Sequence, residues 1–225
     1  MSATPSVEFY RLLGSLADDV VYAHFHWHLV QELRTSLHER PLVAAQSNVF
    51  WYLTTRAHSA TTVQLLSRAF DQEQSSLHLA ALLEIVLENV EMFSNESFKS
   101  RMAGNPFSGH LLKDRIPPAR DEVQRDLDLC RASDPMVKKL IAYRSSHVAH
   151  RSMKLSRAGT PSLGPKAPTD SEIETLLVRA KTMLNRYSYY FAAETHSTNL
   201  PGKDDYKYIF SSVEAAVTRG RRSDA

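Results

Sequence analysis

The sequence predicts an all-α protein, an up-and-down bundle of five or more helices. Three observations predict it. Apolar residues recur at i, i+3, i+4 and i+7 through several long segments. Glycine occurs seven times in 225 residues, too few for the turns a β architecture needs. No segment alternates apolar and polar residues as a half-buried strand does.

Thr4-Pro5 starts the first helix, because proline at the first helical position loses only an N–H that would be unpaired anyway. From about Val7 to Glu39 its apolar stripe is Leu12, Leu13, Leu16, Val20, Ala23, Trp27, Val30 and Leu33. Arg40-Pro41 breaks the pattern. A second long helix is expected from about Leu42 to Phe70, with Val49, Phe50, Leu53, Ala57, Ala60, Val63 and Leu66 inward. After the polar link at Gln72–Ser75, Ser76 is the expected cap of a third helix ending at Phe93. That helix is apolar on most sides and is placed centrally.

Ser94 to Ala119 contains Gly104, Asn105-Pro106, Gly109 and Pro117-Pro118, so mostly loop is expected, with one short helical turn at most. A short helix follows over about Pro118–Ala132. Asp134-Pro135 is a helix start, Asp as N-cap and Pro in the first turn. The helix it opens is expected to reach Ser156. Ala158–Pro168 is a loop. Thr169 and Glu172 form a capping box that opens a long helix to about Glu194. His196–Lys203 is a loop, and a last helix is expected over about Asp204–Val217. The organisation expected is one domain over residues 1–218 and a flexible basic tail at 219–225.

Composition excludes several classes. The single cysteine, Cys130, permits no disulfide within the chain, and a reducing cytoplasm is the expectation. The N-terminal residues show no signal-peptide pattern, and no apolar run reaches the roughly 18 residues of a membrane span. Net charge is only +2, but its distribution is uneven. Residues 135–169 hold seven of the 27 Lys and Arg and none of the 25 Asp and Glu. Such a segment is either a solvated basic face or a contact for phosphate.

Within it lies Y-R-S-S-H-V-A-H-R, Tyr143 to Arg151. At about 100° per residue, Val137, Leu140, Ile141, Val148 and Leu155 form the core stripe, and Arg144, His147, His150 and Arg151 share an arc beside it. An arginine pressed against apolar surface calls for an anion, a partner chain or a ligand. Arg144, five intervening residues and His150, with Val148-Ala149 just before the histidine, resembles the arginine–x(4–6)–histidine motif of the HEPN superfamily. The form of the motif, and the stretch S-R-A-F-D-Q-E-Q-S-S-L-H-L-A-A-L-L from Ser67 to Leu83, are similar to the abortive-infection AbiU branch. The likeness extends loosely over about Val7–Arg219. Two positions depart from related patterns. Ser145 follows the motif arginine where Asn, Asp or His is common. Ser152 stands where a sister branch has a tyrosine modified by a partner nucleotidyltransferase, so that toxin–antitoxin arrangement is not expected.

The resemblance implies an HEPN-like helical fold, metal-free RNA cleavage and a homodimer whose motif helices meet in a cleft. The chemistry suits the residues. A base takes the ribose 2′-OH proton, the 2′-oxygen attacks phosphorus, an acid protonates the departing 5′-oxygen, and a cation steadies the phosphorane. Histidine, with an ordinary pKa of about 6.5, suits proton transfer. The arginine fork matches two phosphate oxygens. His150 is therefore assigned to proton transfer and Arg144 to the phosphate. His147, Ser145, Arg151 and Lys154 are supporting or RNA-contacting candidates. RNA is the expected partner; no cofactor, metal or membrane is expected, and any neutralising protein is unidentified. The alternative is a non-catalytic all-α module that binds RNA, a nucleotide or a protein through the same helix.

Other groups carry weaker chemistry. His24 and His28, at i and i+4, share a helix face, while His26 points elsewhere; no acid or thiol is arranged to complete a metal site. Asp18, Asp19, Glu84, Glu88 and Glu91 are expected as surface acids. Tyr187–Phe191, Y-S-Y-Y-F, is a packing segment before it is a base-stacking one. Nothing supports Cys130 as a nucleophile, and no glycine-rich phosphate loop is present.

Overall fold

The computed structural model describes residues 4–113, 115–148, 157, 165–199 and 201–223. Among them the regular structure is helical: α1 Pro5–Glu39, α2 Pro41–Gln46, α3 Asn48–Ala69, α4 Leu79–Glu88, α5 Asn95–Arg101, α6 Ser108–Leu112, α7 Arg120–Cys130, α8 Pro135–Tyr143, α9 Asp170–Ala192 and α10 Tyr206–Ser223. The all-α class is as expected from the sequence. No helix among the described residues is long and apolar enough to cross a membrane. The chain divides into two compact units. One comprises Met1–Val21 and Val63–His196, the other Tyr22–Thr62 and Ser197–Ala225.

The first unit is built around α4, whose Leu79, Ala80, Leu82, Leu83 and Val86 are buried. Its cap is His78, not Ser76. The His78 Nδ1 accepts the Ala81 N–H at 3.1 Å, satisfying one of the orphan donors of the first turn. The helix stops at Glu88, and a 3₁₀ turn carries Val90–Phe93 onward. Phe93 meets Phe9 edge-on at 5.3 Å and Phe191 at 5.9 Å, and Tyr187 packs on it at 6.3 Å. Fully burying each such side chain contributes about 1.5–3 kcal/mol. The segment expected to be mostly loop instead holds α5 and α6. Ser94 caps α5 by accepting the Ser97 N–H at 3.1 Å, a local bond that outweighs the nearby Gly and Pro signals.

α9 is the spine of this unit. Ile173, Leu176, Leu177, Ala180, Met183, Leu184, Tyr187 and Phe191 are buried at helical spacing. The expected capping box is present in full, Thr169 accepting the Glu172 N–H and Glu172 accepting the Thr169 N–H. Its other end is held by two arginines. Arg115, 8% exposed, donates to the Phe93 carbonyl at 2.7 Å, the Tyr190 carbonyl at 2.5 Å and Asn95 Oδ1 at 2.8 Å, and lies over the Phe98 ring. Arg101 donates to the Phe191 carbonyl at 3.0 Å and stacks on that ring at 4.0 Å. Burial and the neighbouring Arg115 charge bring the Arg101 guanidinium down to about 10. Both cations face carbonyls at the negative end of the α9 dipole. The Thr169→Ala variant should lower stability by about 1 kcal/mol, seen as a lower denaturant midpoint at unchanged slope.

The second unit has a small core of Leu33, Val43, Trp51, Tyr206 and Phe210. Trp51 stacks on Phe210 at 4.8 Å and donates its indole N–H to the Val43 carbonyl at 3.3 Å. That anchor sets the rotation of α3 and explains a departure from the expected stripe. The chain breaks at Ser47 (φ −147°, ψ 48°), so the expected single helix is two. The inward face of the α3 segment in this unit is then Trp51, Thr55, His58 and Thr62, all half-buried or buried. Val49, Phe50 and Leu53, expected inward, are exposed. α10 runs to Ser223, past its expected end near Val217. Before it, Gly202 takes φ 80°, and a Cβ there would lie 2.8 Å from Asp205 Oδ2, so this turn requires glycine.

Candidate functional site

α8 presents the motif, and its start is fixed by chemistry visible in the sequence. Asp134 Oδ1 accepts the Met136 N–H at 2.9 Å and the Val137 N–H at 3.1 Å. The same carboxylate pairs with Arg179 of α9 at 3.1 Å. One turn on, Lys139 meets Glu172 at 2.7 Å. The Lys139 ammonium, with the Thr169 N–H, holds the Glu172 carboxyl below the usual range. Val137 and Leu140 are fully buried, and Ile141 is half-buried. α8 is thus pinned to α9 along its apolar side.

The segment expected to reach Ser156 is described as far as Val148. The α-helix ends at Tyr143, and Arg144–Val148 form a π-helical turn. A π turn closes i→i+5 bonds and is wider than an α turn; such bulges occur frequently at functional sites. Arg144 is half-buried there, Ser145 and His147 are exposed, and the rings of Tyr143 and His147 stack at 4.8 Å with 18° between planes. Among the described residues no carboxylate pairs with Arg144. His150, Arg151, Lys154 and Leu155 lie outside the described residues, as does the side chain of Val148. Lys138, Arg157 and Lys166 are exposed. The described part of the site therefore offers a guanidinium and an imidazole within one π turn, in a segment without acids of its own.

The other sequence candidates are placed as follows. Asp19 pairs with Arg68 and Glu84 with Arg131, each at 3.1 Å. Cys130 is fully buried 3.4 Å from the Met183 sulfur, and burial pushes its thiol up to about 12, which leaves no thiolate to react. Tyr187, Ser188 and Phe191 are buried. The Tyr187 hydroxyl donates to Asp126 at 2.9 Å, and burial with the Asp126 charge raises it far above the ordinary phenol. Among the described residues no group of three His, Cys, Asp or Glu is arranged to hold a metal ion.

One constellation was not anticipated. His26, on α1, faces His58, on α3, with the two Nδ1 atoms 2.7 Å apart. Both line a cavity of about 430 Å³ in the second unit, together with Tyr22, Phe25, His28 and Leu29. No signal in residue type or spacing pointed to it, because His58 lies on the side of α3 opposite the expected apolar stripe.

A family model described as AbiU2, of the HEPN type, matches residues 6–209, nearly the whole chain. No curated protein and no solved structure matches.

Proposed function

The chain belongs to the AbiU2 family of HEPN proteins, and from that premise we propose that it is a metal-independent RNA endonuclease of a phage-defence or stress-response system. The observation that carries this reading is the π turn at Arg144. It sets a half-buried guanidinium, with no carboxylate partner among the described residues, beside the exposed His147, on the segment that also holds His150 in sequence.

Arg144 binds the scissile phosphate and takes up the charge that develops on the phosphorane. His150 moves the proton, first from the ribose 2′-OH or last to the 5′-oxygen. A second copy of the motif in a homodimer supplies the complementary acid or base, since one imidazole cannot do both within a single step. His147 and Ser145 contact the RNA, and Arg151 and Lys154 neutralise flanking phosphates.

Binding should carry the signature of those phosphates. RNA affinity is expected to fall linearly with salt on a log–log plot. Arg151→Gln and Lys154→Gln should each flatten the slope by about 0.7, the value for one phosphate of a single strand. A fluorescence-anisotropy titration with a short single-stranded RNA at several salt concentrations measures this. Unchanged slopes in both variants would remove these residues from the RNA contact. Absence of any salt-dependent binding would remove RNA as the ligand of α8.

A further inference from the structure

The His26–His58 contact has a strict proton requirement. Two Nδ1 atoms at 2.7 Å attract only if one of them carries a hydrogen and the other a lone pair. With no proton between them the lone pairs repel, and with one on each the two N–H groups collide. The contact therefore exists while one hydrogen lies between the two Nδ1 atoms, with both rings neutral in complementary tautomers or with one of them protonated, and it is lost when both are protonated. Its head-to-head geometry fits: the ring centroids are 4.9 Å apart and the planes tilt by 33°.

The pair bridges α1 and α3 within the second unit. His58 stands on α3 between Thr55 and Thr62, and the Thr62 hydroxyl donates to the His58 carbonyl at 2.9 Å. Beside the pair is the cavity of about 430 Å³, with Phe25, Leu29 and Ile209 among its walls. The small core of this unit gathers Leu33 of α1 with Trp51 of α3 and Phe210, so the histidine bond is a second, pH-dependent tie between α1 and α3.

We propose that His26 and His58 form an acid-sensitive latch: sharing one hydrogen between their Nδ1 atoms they hold α1 to α3 in the second unit, and protonation of both rings releases that contact and opens the adjoining cavity. Burial lowers the pKa of both rings, and His58 lowers that of His26 further, so both are neutral in the closed state at neutral pH. The sign is fixed by proton counting. The released state binds more protons than the closed one below about pH 6.5, the ordinary histidine value, so acid favours release. The latch is intact above that pH and is lost as pH falls through the lowered values.

The charged and titratable groups around the pair come from three directions. Tyr22 and His28 line the cavity from α1, and Lys203 and Asp205 from the loop before α10. Tyr206, at the start of α10, is engaged through its hydroxyl by Glu32. Lys203 opposes a second proton on the pair and Asp205 favours it. Neither touches the Nδ1–Nδ1 contact, which makes the pair itself the switching group.

Hydrogen–deuterium exchange on the full chain between pH 7.5 and 5.0 tests this, after correction for the intrinsic pH dependence of exchange. Segments 22–39 and 48–62 should exchange between about tenfold and about 100-fold faster per pH unit in the acid range, the slopes for uptake of one and of two protons. The His58→Gln variant keeps a neutral donor and acceptor and should stay protected through the same range. His26→Gln, made separately, should behave alike if the first variant folds poorly. Buried His78 has a lowered pKa too, but it belongs to the first unit and should not produce a change confined to these two segments. Equal acceleration in wild type and both Gln variants, or no acceleration in wild type, would overturn the latch.

Discussion

Arg144→Ala and His150→Ala should each lower RNA cleavage by at least about 100-fold while leaving the fold intact. The two losses have different origins. A positioned proton-transfer group supplies typically 10²–10⁴ in rate, and a preorganised charge facing the phosphorane a comparable factor. Arg144 ends the α8 segment that Asp134 and Lys139 tie to α9, and the buried Val137 and Leu140 precede it, so truncating its side chain leaves those anchors in place. Arg144→Lys should recover only part of the activity, because an ammonium is a point charge and cannot clasp two phosphate oxygens. His147→Ala should cost at most about tenfold, well short of what a proton-transfer group provides. Its ring stacks on Tyr143 and lies at the surface. Rates on a defined single-stranded RNA, with circular dichroism on each variant, check the set. A His147 effect equal to that of His150 would transfer the proton role to the nearer histidine.

The second large effect concerns stability. Arg115→Met should lower the unfolding free energy by about 3 kcal/mol, or on the order of 6–12 °C in Tm. The buried guanidinium satisfies the Phe93 and Tyr190 carbonyls and Asn95 together. Methionine fills much of the same volume and covers the Phe98 ring, but strands two carbonyls away from water. Two opposing terms decide the magnitude. Burial disfavours the charge, and lowers the Arg115 pKa accordingly. The α9 dipole and three acceptors favour it more. Arg115→Lys should recover little, since one ammonium cannot reach both carbonyls in the planar arrangement the fork provides. Urea unfolding of the three proteins measures the difference. A methionine variant within 0.5 kcal/mol of wild type would mean that desolvation cancels the hydrogen bonds.

Local signals carried well from sequence to structure. Asp134-Pro135 and the Thr169–Glu172 box act over three residues, and both form as their side-chain chemistry dictates. The buried stripe of α1 was legible for a related reason: Leu13, Leu16, Val20, Ala23, Trp27, Val30 and Leu33 are all apolar and all inward. α3 was legible only in its second half. Val63 and Leu66 of the expected stripe are buried, but in the first half the inward face contains Thr55, His58 and Thr62, while Val49, Phe50 and Leu53 point out. What reverses the assignment is tertiary: the Trp51 hydrogen bond to Val43 and the His26–His58 contact. α5 was hidden by neighbouring Gly and Pro, although Ser94 and Ser97 carry its cap.

At the candidate site the same division holds. The Arg144 position beside the apolar stripe follows from helical angles, and the half-buried state is what such an edge position produces. The π turn does not follow, because R-S-S-H-V bears no residue that demands an i→i+5 ladder. The two arginines packed at the end of α9 were equally silent in sequence. Their acceptors are backbone carbonyls far along the chain, and carbonyls leave no trace in residue type.

The most direct test of the central claim is the chemistry of the ends produced. Purified protein is incubated in excess chelator with a single-stranded RNA and with the same RNA carrying one 2′-deoxy sugar at the cleaved position, and the products are analysed by mass spectrometry. Attack by the 2′-oxygen predicts cleavage in chelator, a 2′,3′-cyclic phosphate on one product, a 5′-hydroxyl on the other, and no cut at the deoxy position. Cleavage at the deoxy position, or 5′-phosphate ends that disappear with chelator, would contradict the mechanism.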